Sequence, residues 1–337
     1  MDRFIRSLFL HAGFREKIKE LQEERLALVA LGSYGRRELC LGSDIDLMIV
    51  YRGSLSTGTK EVVLRGLYPL WDANLDVGYT ILTIQECIRL ALKDFKTLTS
   101  LMDARFLIGS RLFYRQFKEA FWSRIDRGKG SLLKQFLSTK QKREEKYASQ
   151  SYFVEPDIKE GLGGLRDLHF MTWMARVYLD SRSLKQIKRY PVFSHFGLDK
   201  LGYSKGFLLK VRNHLHMLCE GRKQDVLLLP FQKEIAYRLG YHDGPFGKGP
   251  ERFMRSLYLH LNRIRHGSEE FHVKVRDIMD PRPVEPVPRQ LPEEFQLMQG
   301  NIVLKAEVLL QNNPLLIIKA FDEANRQGLF LGSGLIW

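Results

Sequence analysis

The sequence predicts an α+β protein. A small unit of alternating strands and helices runs through about residue 110, and a mainly helical unit follows it. Two observations carry this reading. Before residue 110, the short apolar runs "LALVAL", "DIDLMIVY" and "LDVGYTILT" are separated by helical patterns. After Ser110, apolar residues recur at helical spacing over long stretches. The chain has 337 residues, more than the roughly 100–200 of one typical domain. The expected boundaries are an N-terminal helix over 1–25, the mixed unit over 26–110, the helical unit over 111–285, and a linker, hairpin and helix over 286–337.

Each element has its own signal. "MDRFIRSLFLHAGFREKIKELQEER" begins like a signal peptide, but its apolar run is short and is interrupted by His11 and Arg15. It reads as an amphipathic helix with Phe4, Leu8 and His11 on one side. Leu26–Leu31 is fully apolar and ends at Gly32, as a buried strand does. "SYGRREL" predicts one or two helical turns, "DIDLMIVY" a second strand, and "RGSLSTGTK" a loop. "EVVLRGLYPLWDAN" predicts a helix, "LDVGYTILT" a third strand and "IQECIRLALKDF" a helix. Further helices are expected over Leu112–Arg127, Ser131–Ser149, Leu165–Leu179, Ser204–Cys219, Gln232–Leu239 and Glu251–Met279. "GYHDGPFGKGP" is a Gly-rich turn and "DPRPVEPVPRQLP" a Pro-rich linker. "FQLMQGNIVLK" then predicts a hairpin and "PLLIIKAFDEANRQG" a helix.

Composition narrows the function classes. No apolar run approaches the roughly 18 residues of a membrane helix. The three cysteines, Cys40, Cys87 and Cys219, are far apart and form no CxxC pair, so neither a disulfide framework nor a zinc knuckle is indicated. A reducing, cytoplasmic setting is expected. The formal net charge of +14 suggests contact with something acidic, such as a nucleotide or an acidic protein face, although a solvated basic surface accounts for it equally well. A nucleic-acid role would rest on that charge alone, because no aromatic-rich basic platform accompanies it.

The chemistry concentrates in "LGSYGRRELCLGSDIDLMIVY". Side chains at i and i+2 of a strand share a face, so Asp44 and Asp46 project together while Ile45, Leu47 and Ile49 pack on the other side. Adjacent carboxylates resist burial unless a cation sits between them. Hard oxygen ligands favour Mg²⁺, which commonly uses one or two carboxylates plus substrate phosphates. Gly32 and Ser33 follow a strand and open a helix, where backbone N–H groups can cradle phosphate. Arg36 and Arg37 add positive charge. Asp76, on the third strand, is placed to face the pair. Three carboxylates can hold two metal ions, one bridging phosphates and one acidifying an attacking hydroxyl. The bare D-x-D pair is commonly just a solvated turn; the weight lies in the whole pattern.

"GSYGRREL", "SDIDLMIV" and "LWDANLDVG" together resemble the nucleotidyltransferase fold of the DNA polymerase β superfamily. More closely, they resemble the bacterial PII uridylyltransferase family. "YFVEPDIKEGLGGLRDLHFMTWMAR" is similar to that family's helical-domain signature, and "SLMDARFLIGS", "LLLPFQKEIAYRLGY" and "ERFMRSLYLH" resemble it too. The likeness runs from Leu26 to Leu329. It implies a small mixed sheet with helices, then the helical uridylyltransferase-associated domain. It also implies transfer of UMP from UTP to a tyrosine of the PII signal protein, with release of pyrophosphate. On this resemblance Asp44, Asp46 and Asp76 hold Mg²⁺, two ions in all, and Gly32 and Ser33 bind phosphate. Arg36 and Glu38 shape the phosphate loop, and Lys159 and Arg166 hold the nucleotide from the helical domain. The alternative for "DIKEGLGGLRD" is packing, with Gly161, Gly163 and Gly164 in a tight loop and Asp167 starting a helix.

The sequence departs from the family in three places. The family continues into an HD phosphohydrolase domain and two glutamine-sensing ACT domains, whereas this sequence stops at "LFLGSGLIW". Uridylyl removal and glutamine sensing are therefore not expected of it. His242-Asp243 lacks the further ligands of an HD site and reads as a turn. Tyr79 and Leu82 stand where the family has a polar and a basic residue. Two other readings stay open: an adenylyltransferase of the glutamine synthetase type using ATP, and a non-catalytic nucleotide-sensing or protein-binding module.

Overall fold

The first strand, β1 (Leu26–Ala30), is buried at every residue. Such a strand must be covered on both faces and paired on both edges. In the computed structural model, β2 (Ile45–Tyr51) and β4 (Arg105–Gly109) flank it, both antiparallel, and β3 (Val77–Thr83) adds to β2 in parallel. The order β3-β2-β1-β4 makes a small mixed sheet. The structure describes residues 1–14, 16, 26–148, 154–181, 184–190, 193, 197–245, 247–279, 291–298, 301–305, 313–327 and 330–331. The chain divides into two compact units, Met1–Glu269 and Glu270–Trp337.

On one face of the sheet, Ile45, Leu47 and Ile49 join Leu26, Leu28 and Ala30 in a core. It is closed by α1 (Asp2–His11) and the helix Thr57–Asp72. Burying each such side chain is worth about 1.5–3 kcal/mol. That sum pins the register of β2, so Asp46 must project from the opposite face whatever its own burial costs. Helix α2 (Gly32–Arg36) follows β1 directly, and helix α3 (Thr57–Asp72) follows β2. Ser56 caps α3, its hydroxyl accepting from the Thr59 N–H at 3.2 Å. The predicted loop "RGSLSTGTK" thus ends at Ser56, because a cap residue inside a polar run starts the helix early.

After β3 come α4 (Ile84–Lys93), with a Thr83–Glu86 capping box, and α5 (Phe95–Met102), capped by Asp94. Sequence periodicity did not separate α5 from α4, and it did not find β4, a strand of only five residues. The helical part of this unit comprises α6 (Arg111–Arg127), α7 (Lys129–Ala148), α8 (Leu165–Tyr178), α9 (Leu198–Leu218), α10 (Leu229–Arg238) and the portion of α11 (Gly249–Met279) up to Glu269. Aromatic rings tie it to the sheet region. Phe95 of α5 stacks on Phe170 of α8 with centroids 5.8 Å apart, and Phe136 of α7 meets both. Among the described residues no helix is long and apolar enough to cross a membrane.

In the second unit, β5 (Phe295–Met298) and β6 (Asn301–Leu304) pair antiparallel, as the predicted hairpin requires. The strand β7 (Phe330–Leu331) joins β6 in parallel. Phe295 and Ile302 pack with Leu316, Ala320 and Ala324 of α12 (Leu315–Gln327). Most of the predicted Pro-rich linker lies outside the described residues, as do residues 17–25 of the predicted N-terminal helix.

Candidate active site

A cleft of about 310 Å³ opens beside the polar face of β2. It is within the range of small-molecule cavities, about 300–1,000 Å³. Gly32, Ser33, Asp44 and Asp46 line one wall, and Lys159 and Arg166 line another. Arg36 and Glu38 also reach it. Eight of the nine predicted site residues therefore converge. Asp76 does not line the cleft. It is exposed at the head of β3, and its backbone oxygen accepts from the Ile45 N–H at 2.8 Å. It stands one residue before the Ile45–Val77 register pair, so it shares the sheet face of Asp44. Among the described residues, no group of three His, Cys, Asp or Glu side chains is gathered closely enough to form a metal cage.

Gly32 has φ +52°, and a Cβ there would lie 2.7 Å from Asp46 Oδ2. Only glycine allows both that backbone and the close carboxylate. The two carboxylates differ in environment. Burial would raise Asp44, but the hydrogen bond and charge of Lys223, 2.6 Å away, outweigh it and hold the carboxyl below its usual range. Asp46 is pushed up, first by burial and then by the charge of Asp44. A carboxylate that ionises reluctantly beside another is what a divalent cation relieves. The donor set, two carboxylates in a cleft lined with basic side chains, fits a hard divalent cation.

Arg36 and Glu38 are engaged by the protein itself. Arg36 donates to Glu38 at 3.0 Å and to Asp103 at 2.6 Å. Glu38 is buried, meets His169 Nε2 at 2.7 Å and pairs with Lys205. Burial alone would raise the Glu38 carboxyl, but the His169 hydrogen bond and the charges of Lys205 and Arg36 hold it well below its usual range. Burial and the nearby Arg36 charge pull His169 down to about 3. The imidazole is therefore neutral and donates its Nε2–H. Asp103 also accepts from Trp173 Nε1 and Arg176, each at 3.0 Å. This network ties α2 to α8 across the cleft wall.

The glycine loop packs tightly, as the alternative reading expects, and its two basic residues line the cleft. Asp157 Oδ1 accepts from the N–H groups of Lys159 and Glu160 at 2.9 and 2.8 Å. Gly163 has φ +74°, and a Cβ there would lie 2.0 Å from Leu261 O, so this glycine is required for packing. Asp167 accepts from the Gly163 N–H at 2.7 Å and pairs with Arg143. Lys159 and Arg166 nevertheless face the cleft. Lys159 sits 3.3 Å from Asp225, and Arg166 holds Glu160 and lies 5.8 Å from the Trp173 ring. Asp243 accepts from the Gly249 N–H at 2.7 Å, which makes His242-Asp243 the turn the sequence predicts. Tyr79 packs on Trp71 at 5.8 Å.

Lys96, Ser100, Arg212 and Lys223 also line the cleft and were missed in the sequence. Asp103 lay inside "SLMDARFLIGS", so a signal for that segment existed. Lys223 and Asp225, in "GRKQD", had none.

Comparison with known proteins follows the same two walls. Residues 131–272 match the family described as GlnD PII-uridylyltransferase, and residues 2–80 match "Putative nucleotidyltransferase DUF294". Over the first of these stretches the chain is similar to the GlnD PII-uridylyltransferase family. It is 32% identical to a bifunctional uridylyltransferase/uridylyl-removing enzyme of Rhodospirillum rubrum, over 98% of this chain and 36% of the relative. A protein of the same description from Cereibacter sphaeroides is 30% identical over 93% of the chain and 34% of its own length. One from Phenylobacterium zucineum is 36% identical over 75% and 27%. The chain thus spans about a third of the length of these relatives.

Proposed function

We propose that this chain carries the nucleotidyl-transfer site of a Mg²⁺-dependent uridylyltransferase. It would move UMP from UTP to a tyrosine of a PII signal protein and release pyrophosphate. The observation that carries this reading is the convergence of the Gly32–Ser33 and Asp44–Asp46 wall with Lys159 and Arg166 around one cleft. The relatives' printed descriptions supply the uridylyl group, and the description of the matching family supports PII as acceptor.

Each residue has a role in this reading. Gly32 and Ser33 line the end that takes the phosphates, and Lys159 and Arg166 neutralise their charge from the helical side. Arg36 and Glu38 keep the Gly32–Ser33 turn in place through their ion pairs. Asp44 and Asp46 would hold Mg²⁺, which when bound supplies charge neutralisation at the triphosphate. Asp76, exposed on the same sheet face, would be the third carboxylate.

The test is equilibrium nucleotide binding. UTP should bind more tightly with Mg²⁺ than with EDTA, and more tightly than ATP. Binding indifferent to metal would remove Asp44 and Asp46 from the site. Preference for ATP would turn the reading to the adenylyltransferase class.

A further inference from the structure

The loop that carries Asp44 is held from outside the sheet. Residues 38–44 form neither helix nor strand, and their bonds run to α9 and the turn after it. The Gly42 N–H donates to His216 Nδ1 at 2.9 Å, and the Leu41 N–H to Asn213 Oδ1 at 3.3 Å. Arg212 donates to Ser43 Oγ at 3.3 Å. Because His216 Nδ1 accepts, the ring proton sits on Nε2, which donates to Asp225 Oδ1 at 3.1 Å. His216 is fully buried, so its tautomer is fixed by these two partners.

Asp225 gathers the rest. Its carboxylate accepts from Arg212 Nε at 2.6 Å and pairs with Lys159 Nζ at 3.3 Å. Its backbone oxygen accepts from the Ile158 N–H at 2.9 Å. One carboxylate thus connects the Asp44 loop, through His216 and Arg212, to the lysine of the glycine loop. Gly42 makes the arrangement possible. A Cβ there would lie 2.6 Å from Gly221 O and 2.9 Å from Arg222 O. Backbone oxygens cannot yield as a side chain would, so the loop seats on the Glu220–Lys223 turn only with glycine at 42.

We propose that Asp225, acting through His216 and Arg212, is the positioning residue of the site. It sets the Asp44 loop against Lys159, so that the metal-binding and phosphate-binding groups stand at a fixed separation. This rests on the function proposed above. Groups that orient metal ligands from behind typically change metal affinity 10–100-fold when removed.

The experiment measures the dissociation constant of UTP in EDTA and in Mn²⁺, a hard-ligand substitute for Mg²⁺. The ratio of the two is the metal's own contribution, and circular dichroism checks folding. His216→Phe removes the acceptor for the Gly42 N–H and should lower the ratio about tenfold. His216→Asn keeps an acceptor for the Gly42 N–H but falls short of Asp225, so its ratio should fall as well. Asp225→Asn should lower the ratio like His216→Phe, and it decides the matter where the phenylalanine variant does not fold. A wild-type ratio in folded His216→Phe or Asp225→Asn, with only a lower melting temperature, would reduce the network to packing. A wild-type ratio in His216→Asn would also overturn the proposal, because the link from His216 to Asp225 would then not carry the effect. A wild-type protein with no Mn²⁺ effect would instead strike the nucleotidyl-transfer reading itself.

Discussion

Asp46 shows how a single residue can be settled by its neighbours. Its carboxyl is raised by burial and by Asp44, so its folded pKa lies above the unfolded one. Such a group favours the fold while protonated, and that contribution is lost as pH rises through the folded pKa. Above that pKa the charged Asp46 therefore opposes folding. Asp46→Asn should melt at or above the wild-type temperature at pH 7, and the difference should shrink in acid, as a pH series of melting curves would reveal. On the proposed function its transfer rate should fall below about 1% of wild type, because a proposed metal ligand would be lost. Arg166 gives the complementary case. It is 25% exposed and held by Glu160, so Arg166→Ala should melt near normally. A charge-assisted contact to phosphate is worth about 1.5–3 kcal/mol, so kcat/KM for UTP should fall roughly ten- to hundredfold. A lowered melting point with unchanged kinetics would return Arg166 to packing. The Asp44–Asp46 pair was legible because the i, i+2 rule needs only local geometry. Lys223 and Asp103 were not, since their partners lie 179 and 67 residues away in sequence.

At the scale of elements, α2 and α8 are joined through Glu38. Its carboxyl is held low by His169, Lys205 and Arg36 against the opposing effect of burial. A depressed carboxyl contributes stability above its unfolded pKa and loses it as pH falls toward the folded one. Wild type should therefore lose stability progressively below about pH 4.5, near the ordinary glutamate value. Glu38→Gln should lack that part of the acid transition. At pH 7 the variant should be less stable by about 3 kcal/mol, because Arg36 keeps its buried position with one carboxylate fewer. Urea unfolding at the two pH values checks both statements. Gly163→Ala should be at least as damaging as a typical core deletion, since its Cβ would overlap Leu261 O. Thermal unfolding of that variant checks it. Most elements were legible from apolar periodicity. The helix α5 was not, because "FKTLTSLM" follows α4 after one capping residue and its threonines blur the helical signal. The strand β4 is too short to show a period, though it completes the sheet on the β1 edge.

Across the molecule, the sequence reading foresaw an α+β region followed by helices but could not foresee how the second folds over the first. Phe95, Phe136, Phe170 and Trp173 make that closure, and no local pattern marks them as one cluster. The charge excess was legible as a number, not as a place. In the cleft it becomes Lys96, Lys159, Arg166 and Lys223 around two carboxylates, a balance suited to a metal and a polyanion together. The proposed function is transfer of a uridylyl group in this cleft under metal control. UTP labelled at its α-phosphate, incubated with the protein, Mg²⁺ and a PII protein, tests it most directly. The expected result is label on a PII tyrosine, absent with EDTA and absent with Asp46→Asn. Label that persists in the Asp46→Asn protein, or a wild-type protein that leaves PII unlabelled with UTP and Mg²⁺ present, would contradict the account.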